Sequence, residues 1–274
     1  MTATPDLELR DHRLVRGGGL AWIEPAAPLA GIARIVATTR LGGGSRDAFA
    51  GLNLGAHVGD LDERVRQNRH RLAEAVRWRG EPVLAEQVHG AAVAPVGRLH
   101  AGTRWHGAEP ALAGVDALFT DTAGLPLGVL AADCAPVVVA DATHAVLGMA
   151  HAGWRGLAAG VLEAAVSALE VPPAAILAWL GPAIGPAVYE VGDEVRTAFL
   201  SVDRAAGAAF ARSARGRWLA DLYTLARQRL RGAGVQAIHG GGYCTYADRL
   251  RFYSYRRDGT TGRMASGIWI KPRA

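Results

Sequence analysis

The chain has 274 residues, 50% of them hydrophobic and 20% charged, with a mean hydropathy of +0.11. That balance describes a globular chain able to bury a sizeable core and excludes a disordered one. A net charge of +5 and a pI of 9.7 raise the question of nucleic acid. However, Lys271 is the sole lysine, and the arginines are interspersed with Asp and Glu throughout. The densest arginine runs, 64–79 and 249–257, contain no recognisable binding module. Neither nucleic acid nor a membrane is therefore the expected partner, and a positive field favours small anions, phosphate included. No apolar run reaches membrane-span length, and the polar, acidic start is unlike an export signal. Two cysteines, Cys134 and Cys244, speak against a disulfide framework and for a reducing, cytoplasmic setting.

Taken in order, residues 1–19 read as a loose leader and 20–274 as one catalytic domain without linker or repeat. Strands are expected over Leu20–Pro25 and 31–38, followed by a Gly-rich loop at 40–50. Residues 51–60 hold too many glycines for a helix. Asp62 is a candidate cap for a helix over 63–77, where Val65, Leu72 and Val76 recur at helical spacing. A short strand over 82–88 is expected to pair with 91–96 as a hairpin. Residues 99–114 are irregular, and 116–120 are strand-like.

Two buried strands are expected at 127–131 and 145–149, with a helix past Gly156 carrying Leu157, Val161, Leu162, Ala165 and Val166. Pro172-Pro173 break the chain before a strand at 176–180 and a rigid Gly/Pro turn at 181–186. Helices are expected over 191–199 and 221–232, the second with Asp221 near its start. The stretch 201–217 reads as loop, 235–239 as strand, and 252–270 as a turn between strands.

Three residues share a placement at the ends of apolar runs: His89 in QVHG, Cys134 in ADC and His151 in AHAGW. A thiolate with two imidazoles makes a plausible Zn²⁺ set with an open fourth position. The same residues also suit a cysteine nucleophile activated by histidine, and residue types alone do not separate the two. Asp133, beside Cys134, is a candidate proton carrier or orienter of a ligand imidazole. Copper fits the donor types. A multicopper oxidase would need further histidine pairs, though, and none of the nine histidines forms an H-x-H. The zinc deaminase signature is also absent. Gly153–Gly156 with Arg155 opens a helix and could cradle a phosphate.

The motifs NLGAHVGD (53–60), QNR (67–69), QVHG (87–90), DALFTD (116–121), LAADCAPV (130–137) and AHAGWRG (150–156) occur in that order. GPAIGP (181–186), YEVG (189–192), CT (244–245) and FYSYRRDG (252–259) follow them. Together they resemble the YfiH family, also called the laccase-domain or polyphenol-oxidase-like family, over roughly residues 20–270. The resemblance implies an α/β fold, a single-domain layered α-β-β-α sandwich related to cysteine hydrolases. It implies zinc-dependent purine nucleoside phosphorylase activity on adenosine, inosine and methylthioadenosine, with adenosine deamination beside it. The family's metal ligands fall on His89, Cys134 and His151, with Cys134 and Asp133 as the catalytic candidates. Its substrate- or phosphate-contacting arginine matches Arg69, and Arg155, Asn53 and His57 are the further binding candidates. Zinc is the expected cofactor, with copper as the alternative that some relatives' oxidase labels carry. Other relatives are described as peptidoglycan-editing amidases.

Overall fold

The computed structural model describes residues 12–26, 33–78, 82–101, 105, 112–141 and 143–271. Residues 1–11 of the expected leader, and most of the irregular stretch at 99–114, lie outside that set. The rest of the leader is not loose. His12–Gly17 (β1) forms a hairpin with Leu20–Pro25 (β2), with Gly18 and Gly19 at positive φ in the turn. β2 continues antiparallel into Ala33–Thr38 (β3).

The helix Asp62–Val76 (α1) follows. Its N-cap is Leu61, without a side-chain cap, so Asp62 is the first helical residue, where its charge suits the helix dipole. The expected strand at 82–88 shrinks to Val83–Leu84 (β4), and Val93–Pro95 (β5) is not its hairpin partner. β4 joins one sheet and β5 another, where β5 runs parallel to Ala117–Thr120 (β6).

Leu127–Ala131 (β7) is followed by a strand that the sequence pattern left unassigned, Ala135–Asp141 (β8), and then by Val146–Ala152 (β9). All seven residues of β8 and all seven of β9 are buried, which is why they read as continuous apolar runs rather than alternation. The following helix starts at Trp154, two residues before Gly156. Gly160, in the left-handed region, divides it into Trp154–Ala159 (α2) and Val161–Ala168 (α3).

The remainder comprises Leu177–Leu180 (β10), Glu190–Val191 (β11), Asp193–Leu200 (α4), Phe210–Arg212 (β12) and Trp218–Ala220 (β13). Leu222–Gly232 (α5) and Ala237–Gly240 (β14) come next. Asp221, expected near the start of this helix, is its N-cap, its carboxylate accepting from the backbone N–H groups of Tyr223 and Thr224. At 252–270 a short helix, Tyr255–Asp258 (α6), replaces the expected first strand, and Met264–Ile270 (β15) is the second.

The strands form a sheet of order β1-β2-β3-β15-β7-β4, a second of order β14-β10-β8-β9-β6-β5, and a small third of β11-β13-β12. Alternation along β8 shows how the two large sheets stack. Val138 and Ala140 join Ile23, Ile35, Val129 and Ile268 of the first sheet in one apolar cluster. Val137 and Val139 face the other way, against α3, α4 and α5. The outer side of the first sheet is covered by Leu72 and Val76 of α1. The fold is thus mixed α/β, with two sheets sharing a core and a helix layer outside each.

Candidate metal centre

Two segments cross from the first sheet to the second, and each delivers a candidate ligand. Residues 85–92 lead from β4 to β5 and carry His89. Residues 132–134 lead from β7 to β8 and carry Cys134. The third ligand arrives by register: β8 pairs β9 with Ala135 opposite Ala152, which sets Cys134 beside Gly153 and near His151. His89, Cys134 and His151 thereby converge, each offering a ligand atom, all within 4.8 Å of one another.

Asp116 holds this arrangement and is fully buried at the start of β6. Its Oδ2 accepts from the backbone N–H of Val88 (3.1 Å) and Gly90 (2.7 Å). Its Oδ1 accepts from the His89 N–H (2.9 Å) and from His151 Nδ1 (2.9 Å). The first three bonds bend the chain so that His89 adopts a positive φ of 63°. The fourth makes Nδ1 the donor to Asp116 and orients the ring so that Nε2 is left to coordinate an ion once it is deprotonated. Burial pushes the Asp116 carboxyl up, but the bonds from His151 and the backbone outweigh it and hold it below its ordinary range.

Cys134 Sγ lies 3.9 Å from His89 Nε2, and the two imidazoles meet edge to face at 4.8 Å between centroids. Burial pushes the Cys134 thiol up, but the His151 charge and the bonds from both histidines bring it down to about 6. Burial pulls His151 down, and the Cys134 charge with the Asp116 bond raises it to about 9. A Cβ on Gly153 would lie 2.9 Å from Cys134 Sγ and 3.1 Å from the His89 ring. Only glycine therefore lets α2 approach the cluster this closely.

Asp133 sits beside Cys134 but does not orient an imidazole; Asp116 has that task. The Asp133 Oδ1 accepts from the Thr245 hydroxyl (2.6 Å) and Oδ2 from the Arg256 backbone N–H (2.7 Å). Its carbonyl accepts from the Ile184 N–H (2.9 Å). These anchors hold a non-glycine residue at a φ of 104°, a strained value that turns the chain from one sheet into the other.

The expected anion-binding residues separate into two groups. Arg69 is buried on α1, its Nε and Nη2 donating to the Leu54 carbonyl (3.0 and 2.8 Å), its Nη1 to the Trp105 carbonyl. Asn53 is fully buried, bonded to Asp60 and to the backbone of Gly55 and Arg263. These two hold the chain. His57, on the short turn Ala56–Val58, and Arg155, in the first turn of α2, are exposed. The Arg155 guanidinium stacks 4.4 Å over the Trp154 ring.

A family model described as multi-copper polyphenol oxidoreductase laccase matches residues 34–271. The chain belongs to this laccase-domain, or YfiH, family. It is 46% identical over 253 residues to a Pseudomonas aeruginosa protein named purine nucleoside phosphorylase, covering 92% of this chain and 99% of that one. It is 49% identical over 234 residues to Escherichia coli purine nucleoside phosphorylase YfiH, covering 85% and 92%. The crystal structure of YlmD from Geobacillus stearothermophilus superposes with a TM-score of 0.88 at 35% identity, covering 95% of this chain and 98% of that one.

The donor set of this laccase-domain chain suits a borderline ion. A tetrahedral zinc with ordinary bond lengths needs donor atoms roughly 3.3–3.7 Å apart. The three atoms lie within 4.8 Å of one another, wider than that spacing, so they would draw together around an ion; one imidazole is already oriented by Asp116, and the thiol's pKa is lowered. Gly153 was marked by its place in AHAGWRG, whereas Asp116, which organises this end of the fold, was given no role by the sequence pattern. The one available signal for Asp116 is a lone carboxylate opening the otherwise apolar run of DALFTD.

Proposed function

We propose that this protein is a purine nucleoside phosphorylase working around one zinc ion held by His89, Cys134 and His151. On this reading adenosine, inosine and methylthioadenosine react with phosphate to give the free base and the pentose 1-phosphate, and adenosine deamination is a side reaction. The two large sheets, β1 included, act with their helices as one catalytic unit. The free thiols of Cys134 and Cys244 fit a reducing cytoplasm. The observation that carries the reading is the convergence of one thiol and two imidazoles at the sheet crossovers, in a chain this similar to proteins named for that activity.

A zinc ion bound there would supply a Lewis acid with one open position. The chain's own residues do the rest. Asp116 fixes the His151 tautomer and clamps the His89 bend. Asp133 is a positioning residue: it holds the Cys134 crossover against Thr245 and the start of α6. Glycosidic cleavage builds negative charge on the leaving base, so a proton or hydrogen-bond donor must face the purine ring.

The test is metal content and product analysis on wild type and Cys134→Ala. The expected result is about one zinc per chain in wild type, as a three-ligand site predicts, and loss of zinc in the variant. Adenine and ribose 1-phosphate should form only when phosphate is present. Zinc-loaded protein that leaves adenosine, inosine and methylthioadenosine untouched would overturn the reading.

A second reading has its own observation. The 3.9 Å approach of Cys134 to His89 and the lowered thiol favour a Cys–His amidase, the activity that kinship with cysteine hydrolases would imply. It requires amide hydrolysis by metal-free protein and a covalent adduct on Cys134. The copper oxidase reading needs further histidine clusters. Among the described residues His89, Cys134 and His151 are the one group of three found.

A further inference from the structure

Arg263 stands immediately before β15, whose first residue, Met264, pairs with Ala131 of β7. That pair, the last of the ladder, brings the start of β15 to the mouth of the 132–134 crossover, which carries Asp133 and Cys134. Its backbone is clamped on both sides by the NLG motif. The Arg263 N–H donates to Asn53 Oδ1 (2.9 Å), and its carbonyl accepts from the Leu54 N–H (3.1 Å). Asn68 donates to the Asn53 carbonyl (2.9 Å), and Arg69 donates to the Leu54 carbonyl. Asn53 and Arg69, expected as anion binders, thus fix the segment that fixes Arg263.

The side chain is held as well. Its stem lies against Gly55, where an added Cβ would come within 2.8 Å of the Arg263 Cγ and 3.1 Å of its Cβ. Nη1 donates to the carbonyls of Thr261 (2.9 Å) and Gly262 (3.1 Å). The guanidinium carbon sits 5.8 Å from the exposed Tyr255 ring. Nε and Nη2 make no hydrogen bond and no ion pair among the described residues.

Other arginines nearby are used differently. Arg257 donates to the carbonyls of Thr245, Tyr246 and Phe252, while Arg155 and Arg256 are exposed. Burial lowers the Arg263 pKa, and the charges of Cys134 and Asp133 act to raise it, which agrees with the register in setting the guanidinium beside the cluster. A half-buried, preoriented guanidinium with one edge open is the chemistry that receives a phosphate oxygen pair.

We propose that Arg263, positioned by Asn53, Gly55 and Arg69, is the residue that binds the phosphate co-substrate beside the His89–Cys134–His151 cluster. The proposal rests on the phosphorylase reading for the identity of the anion, but the anion site itself can be tested without turnover. Inorganic phosphate would be titrated into wild type, Arg263→Gln, Arg263→Lys and Gly55→Ala by calorimetry, with metal content and melting temperature measured on each. Gly55 has an ordinary φ of −90°, so an alanine there strains no backbone and its Cβ acts by displacing the Arg263 stem.

Arg263→Gln is expected to weaken phosphate binding by about tenfold or more, the effect of losing a charge-assisted pair. Arg263→Lys should recover part of it, and Gly55→Ala should reproduce the defect with the arginine still present. In turnover assays the KM for phosphate should rise while the KM for nucleoside stays within about threefold, a split that mere destabilisation would not produce. Unchanged phosphate affinity in folded Arg263→Gln, or no phosphate binding by wild type, would overturn the proposal. Arginine-dependent phosphate binding without nucleoside cleavage would uphold the anion site and sink the phosphorylase reading instead.

Discussion

Two regions of the molecule are each built around buried polar groups, and they use them in opposite ways. At the crossovers, Asp116 accepts from three backbone N–H groups and one imidazole, and the result is a set of ligand atoms still facing one another. Around α1, Asn53, Asn68 and Arg69 direct their polar atoms onto backbone or onto one another's neighbours. The first region presents chemistry and the second holds chain. Both are rich in family motifs, so a motif residue's polarity does not say which task it has. The difference lies in whether its donors and acceptors already have partners.

The strongest way to break the comparison is at Asp116. Asp116→Asn keeps the shape but replaces one acceptor oxygen by a donor, which then faces buried N–H groups. The expected cost is on the order of 2–4 kcal/mol of stability, because buried donors lose a charged acceptor. Metal affinity should fall by about 10–100-fold, as when other partners of ligand imidazoles are removed. Thermal melting with elemental analysis would check both. A variant with full metal and an unchanged melting temperature would show that the histidines are held by something else.

Arg69 sharpens the same contrast from the other side. Arg69→Met leaves the Leu54 and Trp105 carbonyls without their guanidinium and removes a cation stacked 5.2 Å from the Trp105 ring. A loss of about 2–3 kcal/mol is expected from the unpartnered buried carbonyls and the missing cation–π contact. The metal content of the folded protein should stay near that of wild type. If stability is untouched and phosphate binding alone disappears, Arg69 rather than Arg263 is the anion receptor.

The cluster of His89, Cys134 and His151 was legible in the sequence because each member interrupts or closes an apolar run with a residue that a core would not select. Placement was less legible. The pattern expected His89 at the end of a strand, whereas it lies in a bend made by hydrogen bonds to Asp116, 27 residues on. β8 follows Cys134 so closely that the Asp133 turn between the two sheets has no glycine or proline to mark it. Arg69 matched a family motif, yet it donates to the carbonyls of Leu54 and Trp105, and carbonyls have no sequence identity. Arg263 lies in a segment already crowded with Arg256 and Arg257, and only the tertiary fold reveals which guanidinium keeps an open edge. Local periodicity foretold α1, α5 and several core strands but not the buried β8, while hydrogen bonds between distant residues decided the site.

The smallest expected effect lies far from both regions in function, at Glu24 on β2, and it tests whether a chain-holding carboxylate with no chemical role behaves as pure structure. Glu24 is buried and accepts from the Trp22 indole (2.9 Å), Arg34 (2.9 Å) and Arg13 (2.5 Å). Burial pushes its carboxyl up, but the bonds from Trp22, Arg34 and Arg13 outweigh it and hold the group below its ordinary value of 4.5. The sign follows from linkage. A carboxyl with a lower pKa in the folded state contributes stability that is fully present above the unfolded pKa and is lost as pH falls through the folded value. Arg13 is largely exposed, which screens its share. Glu24→Gln should therefore cost about 1–2 kcal/mol at pH 7, and the gap to wild type should close as the pH drops below about 4. Denaturant melts at both pH values would measure it. A gap that persists at low pH would mean that the side chain acts through packing and neutral hydrogen bonds rather than through its charge.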